Sequence, residues 1–453
     1  VFSQVKLMQA IFNRAVNVQV WLGRNPTSVK ILIDDMNDHP AHQPFSGRKN
    51  ALAIQKDFDR LLDLVNLDYW SRTWVIQEIA LARDVQFVFG ARTFSMDTLR
   101  ALSDQFDSTP RIGDRTQRYH IRHTLSAVVT ARDVLPVATM GTLEGRAVEL
   151  TRILQRARMS QCHDPRDRIY GFLGIMTSMF FGDFIAPNYE WSVAETYTDF
   201  VTRLVSKTGS LAVLNQAESI CNSTPGLPTF VPDWACRFQQ HDAFSRLNTY
   251  KKYRASGEDS TARAQEAAAD RRRASMLKCS GFIVSPVDRI GECSRSVFGK
   301  PETKILEGVI RGWRREYPGG DAAFVRLITA DRLGSVTPLA TCLRALQPSF
   351  TSSGARSNAA PIRDAVGNAT SNRRFFLTAH GMPGLGPRDT RQGDVVAILA
   401  GGRVPYVLRR SPNAAREGLD LFSFVGDCYV EGAMQGELLD TRQPPFFADI
   451  WLE

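Results

Sequence analysis

The sequence is poor in the residue pairs that build metal centres and disulfide frameworks. Its seven cysteines, at positions 162, 221, 236, 279, 293, 342 and 428, are odd in number and far apart, and none belongs to a Cys-x-x-Cys pair. A zinc site needs closely spaced soft ligands and a disulfide scaffold needs partnered cysteines, so neither is signalled, and a reducing, cytoplasmic setting is expected. No apolar run is long enough to cross a bilayer. The longest uncharged stretch, Ile169 to Gly182, is short and interrupted by Gly, Ser and Thr. Lysine is scarce, so the formal net charge of +9 comes mainly from arginine, spread along the chain with one local run at Arg271, Arg272 and Arg273. No basic stripe interleaved with aromatics stands out, so specific nucleic-acid recognition is not expected; it stays a weak alternative, suggested by the basic balance alone. The chain opens on Val1, already inside an amphipathic pattern and without signal-peptide character, and is expected to continue upstream.

What is present is an ordinary globular composition. The 453 residues are 43% hydrophobic and 23% charged, enough for two or three domains with cores of their own. Val5, Met8, Ile11, Phe12 and Ala15 recur at helical spacing, and Val16, Val18 and Val20 then alternate into a strand ending at Trp21-Leu22-Gly23. Ile54, Phe58, Leu61, Leu62 and Val65 make a second helical stripe. The stretch Tyr69 to Gly90 follows, a helix and then a strand. Ser71 is its expected N-cap; Trp74, Gln77 or Glu78, and Leu81 share one face; Arg83 suits the last turn; and Val85 to Phe89 reads as a buried strand closed by Gly90. With another helix starting near Ser95, the order predicts an α/β domain with strands in parallel.

Further along, residues 117–160 read as helical. Asp164-Pro165 is a turn signal within a charged cluster, Asp164, Arg166, Asp167 and Arg168, expected to pair locally as a structural turn. Thr196 to Thr208 reads as a helix and Leu227 to Trp234 as an extended, proline-punctuated segment. Ser256 to Ser275 shows no apolar face and is expected to be a linker or solvated helix, and Ser349 to Asn372 a flexible loop. Short apolar runs at Phe375 to Leu377, Val395 to Leu399, Val404 to Leu408, Leu421 to Val425 and Tyr429-Val430, with a tight turn at Gly401-Gly402, predict a small antiparallel β module or barrel. The expected organisation is an α/β portion over 1–115, a mainly helical region over 116–255, a linker over 256–275, and a C-terminal region over 276–453 with its β module at about 373–437.

Few residues signal chemistry. Glu78, beside Trp74 and Trp70 on a half-apolar helix, is the outstanding carboxylate; the alternative is that it pairs with Arg72 or Arg83 and braces the helix. Trp70 and Trp74 suit either core packing or contact with a ligand. His39 and His42 sit in a polar loop without a nearby cysteine or paired acid, and adjacent Cys162 and His163 point apart, so no metal and no nucleophile–base pair is expected from either. Gly381, Gly384 and Gly386 read as a turn between strands rather than a phosphate loop. Glu431 and Glu437 read as turn and edge charges.

Taken jointly, the landmarks resemble the fungal HET (heterokaryon incompatibility) domain proteins. The matching segments are QVKLMQAIFNRAVNVQVWLG, YWSRTWVIQE with the following ALARDVQFVFG, CHDPRDRIYGFLG, PNYEWSVAETY, GSLAVLN, LPTFVPDW, FFLTAHGMPGLGPRDTRQGDVVAILAGGRVPYVLR and FVGDCYVEGAMQGE, in the family's order. HET domains are in turn remotely similar to TIR (Toll/interleukin receptor) domains, so the resemblance implies a partial TIR-like, flavodoxin-like parallel sheet with flanking helices. In TIR proteins that cleave NAD, a Trp precedes the catalytic Glu on one helix. By that resemblance Glu78 is the candidate catalytic carboxylate, Trp74 and Trp70 are candidate substrate contacts, and Arg72, Gln77, Asp164, Arg166, Asp167 and Arg168 belong to structural motifs. Breaking the nicotinamide–ribose bond builds oxocarbenium character, which a fixed carboxylate can stabilise. NAD would then be a substrate, with no cofactor and no metal.

The chain departs from the family in lacking the opening Ser-Tyr-x-Trp-Gly-type and Trp-Ile-Asp…Cys-Ile-Asn-Gln-type segments, which supply the first two strands. The strand at Val16 to Leu22 is therefore expected to show an unpaired edge, and the fragment by itself to be inactive. Tyr69-Trp70 stands where the family often has two Trp. The resemblance implies a role in non-self recognition and programmed cell death, either by NAD hydrolysis in the intact domain or as a non-enzymatic adaptor that associates with itself or with a partner incompatibility protein.

Overall fold

The computed structural model describes residues 2–38, 51–108, 115–138, 141–158, 160–182, 184–217, 223–236, 252–257, 260–268, 275–294, 303–333, 337–347, 356–440, 443 and 445–453. His39, His42 and the Arg271 to Arg273 run lie outside these residues. The chain divides into two compact units, 1–193 and 194–453.

The first unit follows the expected alternation at its start. Helix α1 (Phe2–Arg14) leads into β1 (Val18–Trp21), then α2 (Thr27–Asp38), α3 (Ala51–Val65), a short α4 (Asp68–Ser71), α5 (Trp74–Leu81) and β2 (Val85–Phe89). β1 and β2 pair in parallel, with Val18 opposite Val85 and Trp21 opposite Val88. The sheet is not wholly parallel, however. The chain turns at Gly90 and returns as β3 (Arg92–Ser95), antiparallel to β2, where a helix alone had been expected. The three-stranded order is β1-β2-β3, so β2 is central and buries Val85, Phe87 and Phe89. Among the described residues no strand pairs with the other edge of β1, as expected for this strand.

Two helix boundaries in the signature stretch differ from expectation. Ser71 does not cap α5; it closes α4, where its hydroxyl donates to the Asp68 carbonyl at 2.8 Å. Helix α5 stops at Leu81, before Arg83, whose Nε donates instead to the Asn13 carbonyl at 3.2 Å. The chain then continues through α6 (Met96–Ser108), α7 (Arg115–Ala138) and α8 (Leu143–Ala157), in agreement with the helical reading of residues 117–160. The charged cluster forms a turn that opens α9 (Asp167–Tyr170), followed by the buried α10 (Leu173–Phe180).

In the second unit, α11 (Val193–Thr208) packs Tyr197 and Phe200 edge-on against Trp234, whose indole donates to Gln216 at 3.1 Å. Two polar stretches fold more than their composition suggests. Residues Ser260–Ala268 form α12, which buries Ser260 and Ala264 and is not a solvated helix; Ser260 Oγ accepts from the Gly401 backbone N–H at 3.1 Å. The expected loop before Asn372 contains a helix, Arg356–Thr370, held by the fully buried Val366. Small residues hid both faces, because a few buried Ala or Val contacts suffice when neighbours supply the bulk.

The β module is larger than the span expected for it. An eighteen-residue strand, β4 (Leu277–Ser294), precedes the expected strands. These are β5 (Arg373–Thr378), β6 (Pro383–Pro387), β7 (Val395–Leu399), β8 (Tyr406–Arg410), β9 (Leu421–Asp427) and β10 (Tyr429–Val430), and β11 (Ala448–Leu452) closes the series. The first half of β4 pairs with β11 on one side and β7 on the other, which closes the ring β4-β11-β9-β8-β7 into a barrel. All ring pairings are antiparallel except β11 with β9. The second half of β4 leaves the ring, after register shifts, to pair with β5, which continues to β6 and β10. Gly384 and Gly386 lie within β6 rather than in a turn; a Cβ on Gly384 would fall 2.3 Å from the Phe376 ring.

Candidate functional site

The site is built from the sequence upward at α5. Its mean composition is strongly apolar, and Val75, Ile76, Ile79, Ala80 and Leu81 are buried. Trp74 and Glu78, four residues apart, lie on one face, and both stay half-buried. Trp70, by contrast, is in the core. It is 6% exposed, with its ring against Tyr69 and Phe87.

Glu78 makes none of the expected arginine pairs by contact. The Tyr69 hydroxyl donates to its Oε2 at 3.3 Å, and Arg83 is engaged elsewhere. Burial raises the Glu78 carboxyl above the usual carboxylate range, against the opposing pull of the Arg72 charge and the Tyr69 hydrogen bond. Burial likewise pushes the Tyr69 hydroxyl up, with the neighbouring Glu78 charge adding to it. The pair thus holds a carboxyl whose neutral and ionised forms are closer in free energy than in water.

The second motif, Cys162 to Gly174, docks on this helix. Gln161 closes a short backbone pairing with it: its N–H donates to the Ser71 carbonyl, and its carbonyl accepts from Thr73 N at 2.9 Å. Asp167 Oδ2 accepts from the Trp74 indole Nε1 at 3.3 Å, and its Oδ1 accepts from the Tyr189 hydroxyl at 2.6 Å. Burial raises the Asp167 carboxyl, opposed by those hydrogen bonds from Tyr189 and Trp74. Gln77, completely buried, accepts from the Gly174 N–H at 2.7 Å through Oε1, while its Nε2 has no hydrogen-bond partner among the described residues. Glycine permits this close approach: a Cβ on Gly174 would lie 2.6 Å from Leu81 Cδ1 and 2.9 Å from Gln77 Oε1, so both side-chain ends would have to shift.

The charged cluster separates into distinct parts. Asp164 and Arg166 do pair locally, at 2.7 Å, and the guanidinium holds the Asp164 carboxyl below its ordinary range. Arg166 also donates to the backbone carbonyls of Tyr189 and Trp191 and lies over the Tyr189 ring. Arg168 is buried and donates to the carbonyls of Arg158 and Ser160, at 2.7 and 2.8 Å, so it braces the backbone of the preceding turn. The structure therefore brings Trp74, Gln77 and Asp167 together across more than ninety residues of chain, and adds Tyr69 and Tyr189, which sequence reasoning did not single out. A signal for Tyr69 was its aromatic position at the head of the signature stretch; Tyr189 carried none beyond its place in PNYEWSVAETY.

Elsewhere, Cys162 forms no disulfide, and among the described residues no cluster of three or more His, Cys, Asp or Glu could hold a metal. No described helix is long and apolar enough to cross a membrane. Glu431 is more than an edge charge. It accepts from the Tyr317 hydroxyl and from Arg326 at 3.0 Å, and so ties helix Asp321–Thr329 to the end of β10. Glu437 accepts from the nearby Gln435 N–H at 2.7 Å.

These two regions, a helix–strand unit carrying the tryptophan–glutamate face and a closed barrel, each match a known family. The heterokaryon incompatibility protein (HET) family model matches residues 2–78, ending on Glu78, and the Het-6 beta-barrel domain model matches residues 351–448. The chain thus carries one segment similar to the HET family and another similar to the Het-6 barrel domain. It is similar to Heterokaryon incompatibility protein 6, OR allele, of Neurospora crassa, with 37% identity over 71 residues, covering 16% of this chain and 10% of that protein. No solved structure matches the chain.

Proposed function

We propose that this chain acts in fungal heterokaryon incompatibility as a cytoplasmic non-self recognition protein that signals cell death, and that the intact HET domain, TIR-like in descent, cleaves the nicotinamide–ribose bond of NAD with Glu78 as the catalytic carboxylate. The observation that carries this reading is the face of α5. A half-buried carboxyl with raised proton affinity is held by Tyr69 one helical turn beyond the half-buried indole of Trp74. A carboxylate fixed in partly desolvated surroundings stabilises developing positive charge on a ribose far better than one in water. The test is nicotinamide release from NAD by the full-length protein. Glu78→Gln is expected to lower it about 100-fold or more, the scale of losing a preorganised electrostatic contact. Equal turnover by both would overturn the catalytic assignment.

A second reading, a self-associating adaptor, draws on the open edge of β1. Val18 N donates to the Asp84 carbonyl and Leu22 N to the Val88 carbonyl, both at 2.9 Å, so alternate residues face β2 while Gln19 and Trp21 turn their backbone groups outward. The Trp21 side chain is 51% exposed. Unpaired edges of this kind recruit further strands, from a second copy or from another segment of the intact protein. Light scattering decides this reading: oligomers that persist in Glu78→Gln support it, and a strictly monomeric protein sinks it.

A further inference from the structure

We propose that Asp167 is the positioning residue of the candidate site, fixing the indole of Trp74 beside Glu78 and tying it to the segment around Tyr189. The inference deepens the reading of α5 as the reactive face and rests on it for its catalytic arm only. Asp167 bridges the helix and that segment by hydrogen bonds through both of its oxygens, one to Trp74 at 3.3 Å and one to Tyr189 at 2.6 Å. An indole on a half-exposed helix face otherwise keeps rotamer freedom, and a hydrogen bond to its one polar atom sets the tilt of the whole ring. Asp167 is itself held in place. It opens α9, the following helix α10 carries Gly174 against Gln77, and Tyr189 is fastened by Arg166 through its ring and its carbonyl. The position of Trp74 is thus set from the second motif, not from its own helix.

The groups that face Asp167 are the Trp74 indole from α5, the Tyr189 hydroxyl, and Asp164 and Arg166 from its own turn. Burial, the largest influence, and Asp164 oppose the ionised form, while the two hydrogen bonds and the Arg166 charge favour it. Protonating Asp167 removes the better acceptor for the indole, so the environment of Trp74 must follow the charge of Asp167.

The test uses full-length protein labelled with 5-fluorotryptophan, with the Trp74 fluorine resonance assigned from Trp74→Phe and followed from about pH 3 to 8, across and above the ordinary Asp range. The expected result is a titration of that resonance with a midpoint above the ordinary Asp value, abolished in Asp167→Asn and retained in Glu78→Gln. Tyr189→Phe, which keeps the ring and the burial, is expected to move the midpoint upward, because the ionised form loses a donor. A Trp74 titration that survives Asp167→Asn, or that vanishes in Glu78→Gln, overturns the proposal; so does an unmoved midpoint in Tyr189→Phe, should Asp167→Asn fail to fold. In the catalytic arm, Asp167→Asn is expected to lower kcat for nicotinamide release about 10- to 100-fold with a smaller change in KM, the scale of a misplaced contact. An unchanged kcat in a variant whose Trp74 resonance has shifted overturns the positioning role. Absence of turnover in the wild type defeats the NAD reading alone, since the fluorine titration is decided without it.

Discussion

Arg132, on α7, is the C-terminal cap of the signature helix: its Nη1 donates to the Ile79 carbonyl at 2.8 Å. The same nitrogen reaches the Ala82 carbonyl, and Nη2 donates to the Arg83 carbonyl at 2.9 Å. Helix ends leave carbonyls without partners, and a guanidinium serves several at once while complementing the helix dipole. Charge-assisted bonds of this kind contribute about 1.5–3 kcal/mol net. Arg132→Ala is therefore expected to destabilise the first unit by at least about 2 kcal/mol in urea unfolding. Arg132→Lys, a point charge without the planar fork, is expected to recover only part of that.

The approach of the second motif to α5 gives a packing prediction. Gly174→Ala places a methyl within 2.6 Å of Leu81 Cδ1 and 2.9 Å of the Gln77 oxygen that accepts from Gly174. Overpacking of a buried contact costs about 1–3 kcal/mol. The loss should be visible in the unfolding midpoint measured by circular dichroism, and a midpoint within error of wild type would show that Leu81 and Gln77 move aside without cost.

The pair of Asp164 with Arg166 predicts a pH dependence. The guanidinium holds the Asp164 carboxyl below its usual range, so its folded pKa is lower than its unfolded one. The stabilisation is therefore fully present above the unfolded value, roughly pH 4, and disappears as pH falls through the lower folded value. Asp164→Asn should lower stability at neutral pH and converge with wild type as pH falls below the depressed folded value. Parallel stability curves down to acid pH would contradict the pairing.

In the β module, Arg373 on β5 and Asp427 on β9 form a pair at 2.5 Å that is almost completely enclosed, with 5% and 4% of the two side chains exposed. Removing one member leaves a buried charge without its counter-ion. Asp427→Ala is expected to cost about 3–5 kcal/mol, whereas Arg373→Met with Asp427→Leu should be markedly less harmful than either single change. Chemical denaturation of the two singles and the double measures this, and additive losses would be evidence against the coupling.

Much of the site was legible in local pattern. The apolar spacing over Trp74 to Leu81 predicted α5, and the Val85 to Phe89 run predicted β2, because an element that buries one face repeats its apolar residues at its own period. The short C-terminal strands were legible for the same reason. Ser71 misled as a cap because Tyr69 and Trp70 belong to a separate helical turn, a break that propensity does not mark. β4 escaped notice because its Gly, Pro and polar residues fit a strand that changes partners midway and bulges as it does so. The helix before Asn372 was hidden because its burial rests on a few residues packed by neighbours distant in sequence.

The sequence by itself determined which segments fold as helix or strand around Glu78, and it supplied the motifs that the two family matches share in part. Only the tertiary structure decided what Glu78 and Trp74 touch. Tyr69, not an arginine, meets the glutamate, and Asp167, ninety-three residues away, meets the tryptophan. The physical reason is range. Periodicity reports which face of an element avoids water, while the partner of a half-buried polar atom depends on which distant backbone can approach closely enough, here through Gly174.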